Sequence, residues 1–443
     1  MVVHPVRLLS LVAMFSLIVV VTGISCGDGA TMPGATIVSR SGSGAPIVVA
    51  PGAPIVVGVS VPLTGPDGAG GRENLDAVIA GVERWKNASG AQIKGHDIEV
   101  RAEDDGCTET DMTIEAAQRL LGQPGLVGVM GPDCSTGAAA TLFIYDRAGV
   151  VTISGAATRT DLTDRQAQPS FFFRTVYRNQ EQGTLAGLFV AFQLRAKKMY
   201  DIDDGELYGR DLADAADRAM REAGVEVIRV SIPRGTENFS DLAARIVADK
   251  PDFVGFAGFP AEAALLYRQL RSAGYTGPFG AGDAAASVRA FVMPVGEEQA
   301  EGVVFAACSP ALPEEFLDEF RKVHGSGPVA SANVGQYADA VTILLNAVAQ
   351  VAVPGEDGSL SVDPLALRDA VAASYLPDGL SGSIAFDAKG DRIPKPGDDL
   401  RRLIAEAWEK RDVSVFVPLG LVPCQVQDGS LVNLAGEGSQ PIR

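Results

Sequence analysis

The residues best placed to do chemistry in this chain are hydroxyls in two small-residue loops, each following an apolar run. Between Leu126 and Thr158 the sequence reads LVGVMGPDCSTGAAATLFIYDRAGVVTISGAAT. The run Leu126–Met130 ends at Gly131-Pro132, and Val150–Ile153 ends at Ser154-Gly155-Ala156-Ala157-Thr158. Such loops offer backbone N–H groups and Ser or Thr hydroxyls to a small anion. Ser135 stands where the intervening helical segment begins, and a helix N-terminus favours negative charge. Neither loop pairs a nucleophile with a base, so the stretch speaks for binding.

Catalytic and metal chemistry is thinly supplied elsewhere. Beyond the first 26 residues the only histidines are His96 and His324, and no CxxC or Cys/His cluster offers a zinc site. Gly68-Ala69-Gly70-Gly71 superficially suggests a dinucleotide loop. Yet GxGxxG spacing is not met, and no acid follows at the right strand end. No GxSxG elbow is present either. No cofactor is expected. A net charge of −18 without any basic run argues against a nucleic-acid partner.

The elements that must position these loops alternate strand and helix. Ile55–Val61 reads as a strand and Asn74–Ala88 as a helix with Leu75, Val78, Ile79, Val82 and Trp85 on its apolar face. Ile98–Ala102 (strand) and Thr110–Leu121 (helix) follow. Beyond the two loops come helices at Leu185–Arg195 and Leu212–Ala223, a strand at Glu226–Ser231 and a helix at Asp241–Ala248. Next are Phe253–Ala257 (strand), Ala261–Ala273 (helix), Pro278–Gly282 and Val303–Ala307 (strands), then helices at Pro313–His324 and Asn333–Val351. Repeated β–α alternation with short loops means a doubly wound α/β architecture, in two clusters divided near residue 175. Leu380–Ala385 leads into a polar hairpin, FDAKGDRIP (386–394). A helix at Leu400–Lys410, a strand at Val413–Val417 and a polar tail after Cys424 complete the chain.

Residues 1–26 differ in kind. Arg7 precedes an almost wholly apolar Leu8–Val21, then Thr22-Gly23-Ile24-Ser25 leads into Cys26. This pattern reads as an export signal, short for a membrane span. A cysteine after a small residue resembles a bacterial lipoprotein signal with Cys26 acylated, although Gly23 stands where that signal has Leu. Residues 27–54, rich in Gly, Ala, Pro, Ser and Thr, read as a flexible tether. They contain the near-repeat APIVVAPG–APIVVGVS, of which the first copy (Ala45–Val49) falls to the tether.

A series of short motifs then becomes recognisable. VGVSVPLTGP (57–66), EDDGCTE (103–109), MGPDCSTGA (130–138), ISGAATRTDLT (153–163) and FFRTVYRNQEQG (172–183) follow one another. LYGRDLAD (207–214), NFSDLAARIVADKPDFVGFAG (238–258), LLYRQLRSAG (265–274), GAGD (280–283) and IAFDAKGD (384–391) continue the order. Together they resemble the leucine/isoleucine/valine-binding protein family, extracytoplasmic receptors of amino acid ABC transporters, over residues 55 to about 420. The resemblance implies an α/β fold of two Rossmann-like lobes with a ligand cleft and a hinge, the type I periplasmic binding protein fold. The lobe boundaries that follow are 55–175 and 303–385 for lobe one, 176–302 and 386–424 for lobe two, and a tail at 425–443. It further implies a monomer that binds a free amino acid, works with a permease, and sits exported at the membrane by its lipid anchor.

The family's ligand residues carry over individually. Ser135 and Thr158 match the hydroxyls that hold the α-carboxylate. Ala156 and Thr158 match the carbonyl and hydroxyl that meet the α-ammonium, with Ala157 contributing backbone and Asp283 supplying the acid from lobe two. Tyr208 and Phe259 match pocket aromatics. Two positions depart from the pattern: the aromatic expected after PLTG is absent, and Asp133 replaces an apolar residue beside Cys134. Asp133 with Asp283 would suit a polar, amide or cationic side chain better than a branched one, since an unpaired buried charge is costly. The family also implies a Cys107–Cys134 disulfide, worth ~3–4 kcal/mol on the chain-entropy model. Cys308 and Cys424 remain for a second. A sensor of the same fold, and a doubly wound enzyme, are the rival readings.

Overall fold

The computed structural model describes residues 44–164, 170–308, 310–411, 421–434 and 441–442. Its framework is two sheets. The first has five parallel strands in the order Ile98–Asp104, Ile55–Val61, Leu126–Met130, Val151–Ser154, Phe172–Arg174. Ile55–Val61 is buried along its whole length, as the continuous apolar run of a parallel strand covered on both faces requires. Helices Gly68–Ser89 and Val334–Val351 pack together over this sheet. Val334–Val351 is buried on most of its circumference, and the Trp85 indole donates to Asn346 Oδ1 at 2.8 Å across the contact.

The second sheet has eight strands. Five are parallel, in the order Val304–Cys308, Phe279–Ala281, Phe253–Ala257, Lys198–Asp203, Glu226–Ser231. Val422–Gln427, Ser430–Asn433 and Pro441–Ile442 extend it antiparallel beyond Val304–Cys308. In each sheet the loops at the carboxyl ends of the parallel strands carry the residues of interest, which is where open α/β sheets place ligands.

Several sequence expectations need correction. Strand Val304–Cys308, expected with the return to lobe one, pairs with Phe279–Ala281 in the second sheet, and the chain crosses to lobe one only after it. Residues 425–433 are not tail but a hairpin on that same sheet. Ile47–Val49 is not tether: it pairs antiparallel with Leu360–Val362 and buries Ile47 and Val49. The helix expected at Leu185–Arg195 instead begins at Asn179, runs to Leu188 and widens into a π-turn over Phe189–Gln193. Strand Lys198–Asp203 (KMYDID) was not expected at all. Its polar residues Asp201 and Asp203 hide the apolar pattern, and Arg229 on the neighbouring strand compensates both, at 3.5 and 2.8 Å. Residues 386–393 stay against lobe one, with Phe386 packed edge-on against Phe173 at 5.2 Å. The export signal with Cys26, and the strand expected at Val413–Val417, lie outside the described residues.

Candidate ligand cleft

A cavity of about 740 Å³, open to solvent, lies between the carboxyl ends of the two sheets. The lobe-one wall begins at the turn after strand Leu126–Met130. Gly131 takes φ +114°, and a Cβ there would fall 2.1 Å from the Ser60 carbonyl oxygen. Only glycine fits, and the turn delivers Asp133 to the cavity. Asp133 Oδ1 accepts from Asn74 Nδ2 at 2.9 Å and from the buried Tyr337 hydroxyl at 2.6 Å. Asn74 Oδ1 in turn accepts from the Ser331 hydroxyl at 2.6 Å. Burial pushes the Asp133 carboxyl up to about 6, against the hydrogen bonds from Tyr337 and Asn74 that favour its charged form. The segment bearing Ser331 is itself fixed by Glu73, whose buried carboxylate accepts the amides of Val329, Ala330 and Ser331.

Helix Ser135–Ala148 opens at the same wall. Its N-cap is Cys134, which gives no side-chain capping bond, so Ser135 is the first helical residue and not the cap. The disulfide to Cys107 holds Cys134, with Cα atoms 5.0 Å apart. Ser135 Oγ accepts the Arg159 amide at 3.1 Å, tying the two hydroxyl-bearing loops together. That second loop is clamped from below by Arg174, which is fully buried and pairs with Asp391 at 2.6 Å. Its guanidinium also donates to the carbonyls of Ala157, Arg159 and Thr160.

The opposite wall comes from lobe two. Asp283, 6% exposed, accepts from the Tyr208 hydroxyl at 2.6 Å on Oδ1 and from Gln182 Nε2 at 3.4 Å on Oδ2. Burial raises its carboxyl above the usual range, with both hydrogen bonds opposing. Tyr208 and Phe259 lie with ring centroids 5.7 Å apart. At the rim, Arg234 lies 3.8 Å over the Phe259 ring and forms an ion pair with Asp67 of lobe one. Bonds that further join the lobes include the Thr136 hydroxyl to Glu206 at 3.1 Å, the Thr160 amide to Asp211 at 2.7 Å and the Arg289 amide to the Val329 carbonyl at 2.8 Å.

Of the residues expected from the sequence, Asp133, Ser135, Ala156, Tyr208, Phe259 and Asp283 line this one cavity. Ala157 and Thr158 do not. The Ala156 and Ala157 amides both donate to Ser154 Oγ, and Thr158 is fully buried with its hydroxyl unpartnered. The missing lobe-one aromatic has a physical cause. Gly68–Gly71 forms the first turn of a helix packed on the preceding loop, and a Cβ at Gly71 would sit 1.8 Å from the Pro62 carbonyl oxygen. Sequence reasoning missed Asn74, Ser331, Tyr337, Asp67 and Arg234. Among the described residues no group of three or more His, Cys, Asp or Glu is placed to hold a metal ion.

The periplasmic binding protein family model matches residues 54–397. The chain belongs to the periplasmic binding protein family. This binding protein is 31% identical over 270 residues to an amino acid binding protein of Pseudomonas aeruginosa, covering 60% of this chain and 71% of that one. It is 29% identical over 298 residues to a Leu/Ile/Val-binding protein, BraC3, of Rhizobium johnstonii, covering 67% and 77%. The crystal structure of a leucine binding protein, LivK, from Thermotoga maritima superposes with TM-score 0.69 at 23% identity, covering 86% of this chain and 98% of that one. The family is one of substrate-binding receptors, and the likeness in fold fits the two sheets described above.

Proposed function

We propose that this protein captures a free amino acid between its lobes and delivers it to the permease of an ABC transporter, acting by binding and not catalysis. One observation carries the reading: a helix N-terminus with Ser135 on one wall faces the buried carboxylate of Asp283 on the other. The first favours the α-carboxylate, which needs several charge-assisted hydrogen bonds when taken from water, each worth ~1.5–3 kcal/mol. The second favours the α-ammonium, with Tyr208 fixing the carboxylate. Ala156 supplies wall beside the ammonium, Phe259 and Tyr208 cover the ligand, and Ala157 holds the loop. Thr158, fully buried behind the wall, becomes a further donor only when lobe movement exposes its unpartnered hydroxyl. Lobes bounded near residue 175 close over the ligand by a hinge. The protein works as an exported monomer held at the membrane through an acylated Cys26.

Calorimetry against a panel of amino acids, on protein freed of carried-over ligand, tests this. A saturable heat with at least one amino acid is expected. No binding by any amino acid or amide sinks the reading.

A further inference from the structure

We infer that the ligand is an amino acid with a cationic side chain, an ammonium or guanidinium that pairs with Asp133. The inference rests on the amino acid reading of the cleft and deepens it. Three carboxylates line the cavity, Asp67, Asp133 and Asp283, and no Lys, Arg or His lines it. Asp67 is neutralised by Arg234 at the rim. Among the described residues no cation pairs with Asp283 or Asp133, and they stand on opposite walls.

The hydrogen-bond chain on the lobe-one wall has a direction. The Ser331 hydroxyl donates to Asn74, Asn74 donates to Asp133, and the Tyr337 hydroxyl donates to Asp133. Both bonds to the carboxylate fall on Oδ1. What the wall offers a ligand is the acceptor Oδ2, set beside a polar and not an apolar surface. A branched aliphatic group there leaves a partly buried carboxylate unmatched, which is unfavourable. A neutral amide satisfies the hydrogen bond but not the charge, and bonds between two charged groups are the stronger.

An α-amino acid already brings one carboxylate for the Ser135 helix terminus and one ammonium for Asp283. A second cation on the side chain balances the remaining acid. The wall also has room for length: it is lined there by the small residues Ala69 and Gly70.

The test is calorimetry on the full chain at pH 7.5 with L-lysine, L-ornithine, L-arginine, L-glutamine and L-leucine, repeated on Asp133→Asn. The expected result is that one basic amino acid binds at least about 100-fold tighter than leucine and at least about tenfold tighter than glutamine. In Asp133→Asn its affinity should fall about 10- to 100-fold, the loss of one charge-assisted bond, with glutamine unchanged or tighter. Leucine or glutamine binding tightest in the wild-type chain overturns the cationic assignment while leaving amino acid capture standing. So does a preference for the basic ligand that survives Asp133→Asn undiminished. Absence of binding by all five overturns the cationic assignment, and only the full amino acid panel decides whether amino acid capture falls with it. The wild-type panel decides the ligand class even if the variant fails to fold.

Discussion

Two carboxylates face the cavity from opposite lobes, and each receives a tyrosine hydroxyl at 2.6 Å. Asp283 has both oxygens engaged inside its own lobe, by Tyr208 and Gln182. Asp133 has its bonds on one oxygen and is tied to two distant parts of the chain, through Asn74 on one side and Ser331 and Tyr337 on the other. The first arrangement is a rigid acceptor suited to a group that all amino acids share. The second is the last link of an extended chain with one acceptor left over, suited to the part that differs. On the proposed reading, the acceptor for the α-ammonium and the acceptor for the side chain are thus held by different lobes.

The most disruptive way to break this contrast is to remove what the lobe-one wall stands on. Arg174→Met leaves the buried Asp391 with only Arg178, at 3.5 Å, and the Thr163 hydroxyl, a change worth up to about 3–5 kcal/mol of stability. Urea unfolding followed by circular dichroism should register it. A loss below about 1 kcal/mol would mean that the loop behind Ser135 does not depend on the clamp.

Next in size is the exchange of the two acids. Asp283→Ala should weaken every amino acid about 100-fold, whereas Asp133→Ala should change neutral amino acids less than about threefold. Calorimetry showing the opposite order would move the ammonium to the other wall.

The smallest effect is in pH. The folded Asp133 carboxyl lies at about 6, above its unfolded value. Its contribution to stability is therefore present at low pH and lost as pH rises through about 6. Affinity for a cationic ligand runs the other way, since the cation needs the charged form. It should fall by up to tenfold per unit as pH drops below about 6, more steeply than leucine affinity, whose own fall follows Asp283 alone. Asp105, pushed up to about 7 by burial, and the Asp67–Arg234 pair both face this group. An Asp133→Asn control is needed to separate them, and a pH slope that persists in it would assign the titration elsewhere.

Much of the fold was legible because strand and helix periods are local. Ile55–Val61 and Phe253–Ala257 announce themselves as apolar runs, and the turn at Gly131 can be read from its dipeptide. Lys198–Asp203 was hidden because its acids are balanced by Arg229 on another strand, which no local pattern reveals. Ile47–Val49 needed its partner Leu360–Val362 to become a strand. The cavity follows the same rule. Asp133, Ser135 and Asp283 sit in recognisable loops, but Asn74 and Tyr337 reach Asp133 from 59 and 204 residues away. Nothing in their immediate sequence separates them from ordinary core positions.

The disulfide between Cys308 and Cys424 spans 116 residues, with Cα atoms 5.9 Å apart. The chain leaves the second sheet at one of these cysteines and rejoins it at the other, having supplied helices Glu314–His324 and Val334–Val351 to lobe one in between. The outgoing and returning paths are therefore stapled together at their base, like two straps riveted to one plate. The base of the two straps cannot splay. The bond thus holds together, on the second sheet itself, the two places where the chain departs and returns.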